Sequence, residues 1–563
     1  MKGIDTLLLS VLFTLSSAAP APSQEEYDFI IVGGGAAGLI AADRLSETGK
    51  SVLLLERGPP STWKHGGRNG PEWAVENKLT RYDIPGLCNQ IWMDSAGIAC
   101  EDIDQMAGCV LGGGTAINAG LFFKPTNRDW DYNFPEGWKA KDMVAATNRV
   151  FKRIPSTDVP SQDGKRYFQE SYNVLSAALG KAGWKGITAN ASPNQKNRTF
   201  AHTPFMYING ERGGPLATYL VSARARKNFK LAVNSTVERV VRKGGVITGV
   251  EVVPFGEGGL NATINVKQKT GKVILAAGVF GTTKILFRSG IGPLDQLAIV
   301  KTAEADKLVP EEEWISLPVG NNTMDHTNTD LVVSHPDVVP YDYYAAWDAP
   351  IEQDKQDYIE HRSGPLAGAA PSPNTMFWEA IPGIDGVERQ LQWTARVEGS
   401  LGAEGDNLIT LSQYLGTGYE TRGKLTINPY LSMVTARSPY AATEGDIDAQ
   451  IKGVASVVAA LNATGSGFTF VFPPEGVDAV EYVKTYLGGK RSNHWLGTSK
   501  LGTDDGRKPG GTAVVDTNTK VYGTDNLFVI DASIFPGHVT HNPSAAIMIA
   551  AERAVERILK LRN

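Results

Sequence analysis

The sequence predicts a mixed α/β fold, α+β over the whole chain. A parallel-sheet nucleotide-binding domain, discontinuous in sequence, hosts a second domain built on an antiparallel sheet. Three observations predict this. Residues 27–58 run strand, glycine turn, helix, strand; residues 331–427 hold a succession of short aromatic and β-branched runs; and the C-terminus returns to strand and helix.

In the first unit, Tyr27 to Val32 is an apolar strand, and Gly33, Gly35 and Gly38 supply G-x-G-x-x-G. Ala36, Ala37 and the residues to Leu45 have helical spacing, and Ser51 to Leu55 is a second buried strand ending at Glu56. This is a Rossmann-like cradle for the diphosphate of a dinucleotide. The glycines give a tight turn, backbone approach to phosphate and close helix–strand packing, and the helix N-terminus offers free N–H groups. Glu56 is placed to accept hydrogen bonds from a ribose.

The segment AGCVLGGGTAINAGLFF carries the glycine triplet Gly112–Gly114 between apolar flanks, as expected of backbone that a flat ligand approaches closely. A helix is expected over Tyr167 to Ala182. Phe229 to Val241 and Val246 to Val253 read as paired strands, and Val273 to Ala276 as a buried strand followed by a helix ending before Gly290. LVVSH, TMFWEAI, LQWTARV, NLITLSQY and GKLTINP then read as strands with no long helix between them. Asp446 to Leu461 is helical. VYGTDNLFVIDAS leads to Asp531, and Pro543 to Arg562 is a helix with proline in its first turn. These patterns divide the chain into a dinucleotide domain (25–155, 225–300 and 485–563) and a substrate domain (156–224 and 301–484).

The 563 residues suffice for more than one domain, and 42% hydrophobic with 20% charged residues is ordinary for a globular protein. A net charge of −5 gives no footprint for nucleic acid or an anionic membrane. Lys2, the apolar stretch Leu7 to Leu15 and the small residues Ser16 to Ala19 have the order of a secretory signal peptide, residues 1–20. A secreted protein with no membrane anchor is therefore expected. Sequons at Asn190, Asn197, Asn234, Asn261, Asn321 and Asn462 are compatible with export, the first weakened by Pro193. Of three cysteines, Cys100 and Cys109 are the preferred disulfide pair, leaving Cys88 in a more apolar stretch. The absence of C-x-x-C spacing argues against a metal site.

Two polar groups flank the C-terminal unit: His494 in RSNHWLG and Asn542 in THNPSAA. A neutral imidazole can take the proton of an alcohol while hydride leaves the same carbon, and an amide can donate to the developing alkoxide. The helix opening at Pro543 could stabilise negative charge on a reduced flavin. His538 and His541 are expected at the surface or behind the site. His65, His202, His326, His335 and His361 are expected to be structural.

The fingerprint with Glu56-Arg57-Gly58, the segments GCVLGGGTAIN and GVFGTTKILFRSGIGP, and the ending SNHW plus HNPSAA together resemble the glucose–methanol–choline (GMC) oxidoreductases over nearly the whole chain. Within that family the flavin domains of cellobiose dehydrogenases resemble it most, through YDIPGL, RIPSTDVPSQDGKRYFQ, GPLATYL, SNHW and NLFVIDA. The resemblance implies non-covalent FAD, with Gly113, Gly114, Asn118, Val237, Asp531, Ala532, Asn542 and Pro543 along the cofactor beside the fingerprint residues. It implies His494 as base and Asn542 as its partner. It also implies a sugar site at Ser492, Asn493 and Arg396, and a Cys100–Cys109 bridge. No histidine lies within Gly112 to Asn118 to carry a histidyl-flavin link.

The chain departs from the pattern after YDIPGL: it reads CNQIW, with Asn89 where a carboxylate is expected and Trp92 beside it. An amide donates as well as accepts, so the sugar contacts must change. No haem domain or cellulose-binding module is expected. The expected activity is oxidation of a sugar at its C1 hydroxyl to a lactone, with a quinone or oxygen as acceptor. The alternatives are an alcohol oxidase or dehydrogenase acting on a specialised metabolite, and an inactive secreted binding protein of the same fold.

Overall fold

The run Phe29–Val32 lies at the centre of a five-stranded parallel sheet in the order Leu527–Val529, Lys272–Leu275, Phe29–Val32, Val52–Leu55, Phe229–Ala232. The computed structural model describes residues 22–462, 465–486 and 491–561. The expected signal peptide, residues 1–20, lies outside the described residues. Phe29–Val32 and Val52–Leu55 are buried throughout, which is why they read as unbroken apolar runs rather than alternating ones. Helix Ala36–Ser46 follows the glycine turn and is packed on the C-terminal helix Ser544–Lys560, both rich in buried alanines. Helix Gly278–Arg288 follows Lys272–Leu275, as the sequence predicts.

Two expected strands are broken. Tyr27 to Val32 divides at Asp28 into Pro22–Tyr27 and Phe29–Val32, which belong to different sheets. The Asp28 carboxylate accepts from the Ser51 N–H and hydroxyl and from Lys267, tying the turn down. Phe229 to Val241 divides likewise into Phe229–Ala232, in the parallel sheet, and Ser235–Lys243, which pairs antiparallel with Val246–Pro254. Asn234 at the break has φ 55°, a left-handed conformation that asparagine tolerates better than most residues.

The second sheet has seven strands in the order Thr469–Phe472, Thr327–Ser334, Leu408–Leu415, Glu388–Arg396, Thr375–Pro382, Thr199–His202, Lys185–Gly186. Only the last pair is parallel. The run GKLTINP does not join it: Lys424–Ile427 forms a separate ribbon with Met433–Arg437. A helix also intervenes where none is expected, at Glu352–His361; it buries only Tyr358, so it shows little apolar periodicity.

Alternation along the central strands decides what each face does. Leu331, Val333, Trp393, Ala395, Ile409 and Leu411 join one apolar cluster beneath helices Glu444–Leu461 and Glu170–Lys181. Apart from Val332, the residues that alternate with them are polar. Asn328 and Gln392 lie opposite Tyr414, and Asp330 and Thr394 lie opposite Ser412, on the face turned away from that cluster. The sequence thus commits one side of the sheet to packing and leaves the other for chemistry.

Candidate active site

The two sheets share the walls of one cavity of about 550 Å³. Its dinucleotide end follows from the glycine turn. A Cβ on Gly33 would lie 2.5 Å from the Ala276 carbonyl oxygen, and one on Gly38 only 1.9 Å from that of Gly33, so close backbone packing requires glycine at both. Gly35 differs: a Cβ there would meet no protein atom within 4 Å, and Gly35, Ala36 and Ala37 line the cavity. The first N–H groups of helix Ala36–Ser46 have no side-chain cap. The second glycine triplet is laid against the first, with Gly112 N–H donating to the Gly34 carbonyl at 2.8 Å.

Glu56 is buried, and its two carboxylate oxygens accept from the Gly34 N–H at 2.6 Å and the Gly58 N–H at 2.7 Å. Burial pushes its pKa up to about 7, against the lowering effect of those N–H groups and of Arg57. The carboxylate holds the cradle together through these two N–H groups and also lines the cavity. Asp531 is turned to the Gly278 N–H and the Thr282 and Ser533 hydroxyls. Asn118 accepts from Gly120 and Arg212 and donates to Ser544. Gly113, Gly114, Val237, Ala532 and Pro543 complete that wall; Gly38 lies behind it. The cradle, the uncapped helix and the cavity-lining carboxylate fit FAD. The Cys100–Cys109 disulfide is present with a Cα–Cα distance of 5.1 Å and borders the same cavity, and Cys88 is a buried thiol.

At the other end stand His494 and Asn542, the pair singled out by sequence, with Asn542 Nδ2 2.9 Å from His494 Nε2. His494 is half-buried on the cavity wall, and desolvation there, reinforced by His538, pushes its pKa down to about 3, so the ring is neutral at physiological pH. Asp325 fixes the loop: its carboxylate accepts the N–H groups of Ser492, Asn493 and His494 and the Tyr440 hydroxyl.

Of the expected substrate residues, Asn89, Trp92, Ser492 and Asn493 line this cavity and Arg396 does not. Arg396 is held by Glu398 at 2.8 Å, Ser412 at 3.1 Å and Asp330 at 3.4 Å. The Ser492 hydroxyl is committed to the His326 carbonyl. Asn493, at φ 56°, lines the cavity, and its buried Oδ1 has no protein hydrogen-bond partner. Asn89 donates to the Tyr344 hydroxyl at 3.0 Å, and Trp92, 58% exposed, sits at the mouth.

Three residues beside the pair have no distinguishing sequence signal. His326, expected to be structural, lies with its Nδ1 2.9 Å from His494 Nδ1. Gln392 donates to Asn542 Oδ1 at 2.7 Å, and Tyr414 stacks on His326. His538 is buried behind the site, 3.1 Å from the His494 carbonyl oxygen, and His541 is buried against Phe123 and Trp378. Neither is at the surface.

A parallel dinucleotide sheet joined to an antiparallel sheet, with a neutral imidazole on their common cavity, defines a flavin-dependent enzyme that oxidises CH–OH groups. The chain belongs to the GMC oxidoreductases: family models of that description match residues 27–328 and 420–551. It is 26% identical to the dehydrogenase eriK of Hericium erinaceus, over 98% of this chain and 96% of the relative. It is 25% identical to a pyranose dehydrogenase of Agaricus xanthodermus, over 94% of each. The fold matches a solved formate oxidase with a TM-score of 0.72 at 18% identity, over 96% of this chain and 99% of that one. GMC oxidoreductases bind FAD and act on small alcohols or sugars, with oxygen or another acceptor.

Proposed function

We propose that this is a secreted enzyme with non-covalently bound FAD that oxidises the C1 hydroxyl of a sugar, such as a gluco-oligosaccharide, to the lactone. The observation that carries the reading is the His494–Asn542 pair, 2.9 Å apart on the same cavity as the glycine cradle. His494 takes the hydroxyl proton at Nε2, and the Asn542 amide orients the oxygen and donates to it as negative charge develops. Bound FAD supplies the acceptor for the hydride leaving C1. The N-terminus of helix Ser544–Lys560 has no side-chain cap and borders the cavity, so it favours negative charge there. We assign cofactor contacts to the fingerprint residues, Glu56, Gly113, Gly114, Asn118, Val237, Asp531, Ala532 and Pro543. We also keep the domain division read from the sequence.

A sugar is favoured by the polar side chains at the substrate end, the Asn493 and Asn89 amides, with Trp92 at the mouth to cover an apolar ring face. The pyranose dehydrogenase relative supports the same class. Electrons then pass to a quinone or to oxygen. The Gly112–Asn118 wall carries no histidine or cysteine, which favours FAD without a covalent link there. Export is supported by the signal-like leader and by the Cys100–Cys109 disulfide. The second reading is an alcohol of a specialised metabolite, favoured by the apolar residues Ile91, Ile103 and Met106 on the cavity wall.

Anaerobic titration with cellobiose, glucose, aryl alcohols and polyketide-like alcohols separates the two readings. Bleaching of the flavin by a sugar, with lactone as product, is expected. Bleaching only by the alcohols would replace the sugar reading with the second one. Acid precipitation is expected to release all the flavin into the supernatant; flavin retained in the pellet would refute non-covalent binding.

The depressed pKa of His494 also fixes a pH dependence. A group held neutral down to about 3 keeps its lone pair as pH falls through 6.5, so kcat/KM is expected to persist below the usual histidine range. Asp325, pushed up to about 6 by burial, is the group beside it that titrates earlier. In Asp325→Asn any limb near pH 6 disappears and the His494 limb stays below pH 5. A limb at 6.5 surviving in that variant would overturn the prediction.

A further inference from the structure

The hydrogen bonds around His494 form a chain whose direction is set at one end by an atom that cannot donate. The Val539 carbonyl oxygen lies 2.8 Å from His326 Nε2, so that nitrogen carries the hydrogen. His326 is fully buried, its ring tilted 37° against that of His538 at a centroid distance of 3.6 Å, and is kept neutral by that burial. A neutral imidazole has one N–H, so His326 Nδ1 is an acceptor. It faces His494 Nδ1 at 2.9 Å, and the single hydrogen between the two nitrogens must therefore belong to His494. His494 is itself neutral, so its Nε2 is left with a lone pair, facing Asn542.

The other end agrees. Gln392 Nε2 donates to Asn542 Oδ1 at 2.7 Å, which turns the Asn542 NH₂ group toward His494 Nε2, as an unprotonated nitrogen requires. Donors thus run one way, from Gln392 through Asn542, His494 and His326 to the Val539 carbonyl. Sheet register makes this possible: Asn328, two residues after His326, and Gln392 both pair with Tyr414, and Tyr414 stacks on the His326 ring.

We propose that His326 is a positioning residue that locks His494 in its Nδ1–H tautomer and so reserves Nε2 for the substrate hydroxyl. The inference rests on the reading of His494 as base. An unconstrained imidazole in water favours the opposite tautomer, with the hydrogen on Nε2, in which that nitrogen could not take a proton. The lock matters again once the proton has moved. The imidazolium keeps its Nδ1–H bonded to an acceptor, and the new charge is met by a polarisable ring already anchored to a carbonyl.

The test uses the FAD-loaded protein with ¹⁵N-labelled histidine, the His494 signals being identified by their loss in His494→Asn. Wild-type protein is expected to show His494 protonated at Nδ1 and bare at Nε2. In His326→Leu, hydrogen is expected to appear on Nε2 and kcat to fall at least about ten-fold, in the direction of the penalty for the wrong histidine tautomer in other bases. Flavin content is expected to be unchanged and KM to stay within about three-fold, because a positioning residue acts on the chemical step more than on binding. His326→Gln offers an acceptor oxygen and a donor NH₂ in place of the two ring nitrogens, and should recover most of kcat and the Nδ1–H signal.

An Nε2–H signal for His494 in the wild-type protein would overturn the inference. So would a glutamine variant that folds, holds flavin and is no better than leucine. The base reading fails separately, if His494→Ala retains turnover; the tautomer spectrum of the unmodified protein still decides the lock. Should the leucine variant not fold, the wild-type spectrum and the glutamine variant decide between the outcomes.

Discussion

Replacing His494 with alanine is expected to lower kcat/KM by about 10²- to 10⁴-fold, the range for removal of a general base, without loss of bound flavin. The separation of effects follows from geometry. The glycine cradle, Glu56 and Asp531 sit at one end of the cavity, on the parallel sheet. His494 reaches the other end from a loop fastened by Asp325. Alanine removes the ring but not the backbone N–H that Asp325 holds at 2.7 Å, so the loop keeps its anchor. It also leaves the Asn542 NH₂ and His326 Nδ1 without their partner, and a water can take that space. The decisive measurement is anaerobic flavin bleaching by the best substrate in a single turnover, with absorbance before mixing as the control for flavin content. A rate within ten-fold of wild type would remove His494 from the mechanism.

The centre of the parallel sheet is legible because burial on both sides makes Phe29–Val32 and Val52–Leu55 continuous apolar runs and glycine marks the turn. The breaks at Asp28 and Asn234 were not, since each is decided by a polar residue's tertiary or backbone state: Asp28 gathers Ser51 and Lys267, and Asn234 adopts a positive φ. The polar helix Glu352–His361 carries no apolar periodicity in the sequence because it contributes one buried residue to the interior.

In the site, His494 and Asn542 could be found from their place around the final strand and helix. His326 and Gln392 could not. They lie 168 and 150 residues from their partners and have the look of ordinary positions at the start of one strand and within another. Sheet register brings them to His494 and Asn542. Arg396 shows the converse: a residue placed at the ligand by its segment is held instead by Glu398, Ser412 and Asp330.

Gly38→Ala is expected to have the largest effect on folding and cofactor content. The added Cβ would lie 1.9 Å from the Gly33 carbonyl oxygen, a backbone atom inside the turn, and 3.4 Å from the Ala276 side chain. No rotamer change relieves a clash between Cβ and backbone, so helix Ala36–Ser46 must move away from Phe29–Val32. Overpacking a buried position costs about 1–3 kcal/mol, and a rigid backbone contact belongs at or above the upper end. Moving the helix also displaces Ala36 and Ala37 on the cavity wall, where we place the diphosphate, so stabilisation from bound FAD is expected to be lost in addition. Purified Gly38→Ala is expected to hold less than a tenth of the wild-type flavin and to melt several degrees lower even when compared with flavin-free wild type. Gly35→Ala separates the two causes. Its Cβ meets no protein atom within 4 Å and points into the cavity, so the flavin-free form should melt with wild type while flavin affinity drops. If the two variants behave alike, the close approach at Gly38 is not what the glycine provides; if Gly35→Ala binds flavin normally, the diphosphate does not lie at the helix N-terminus.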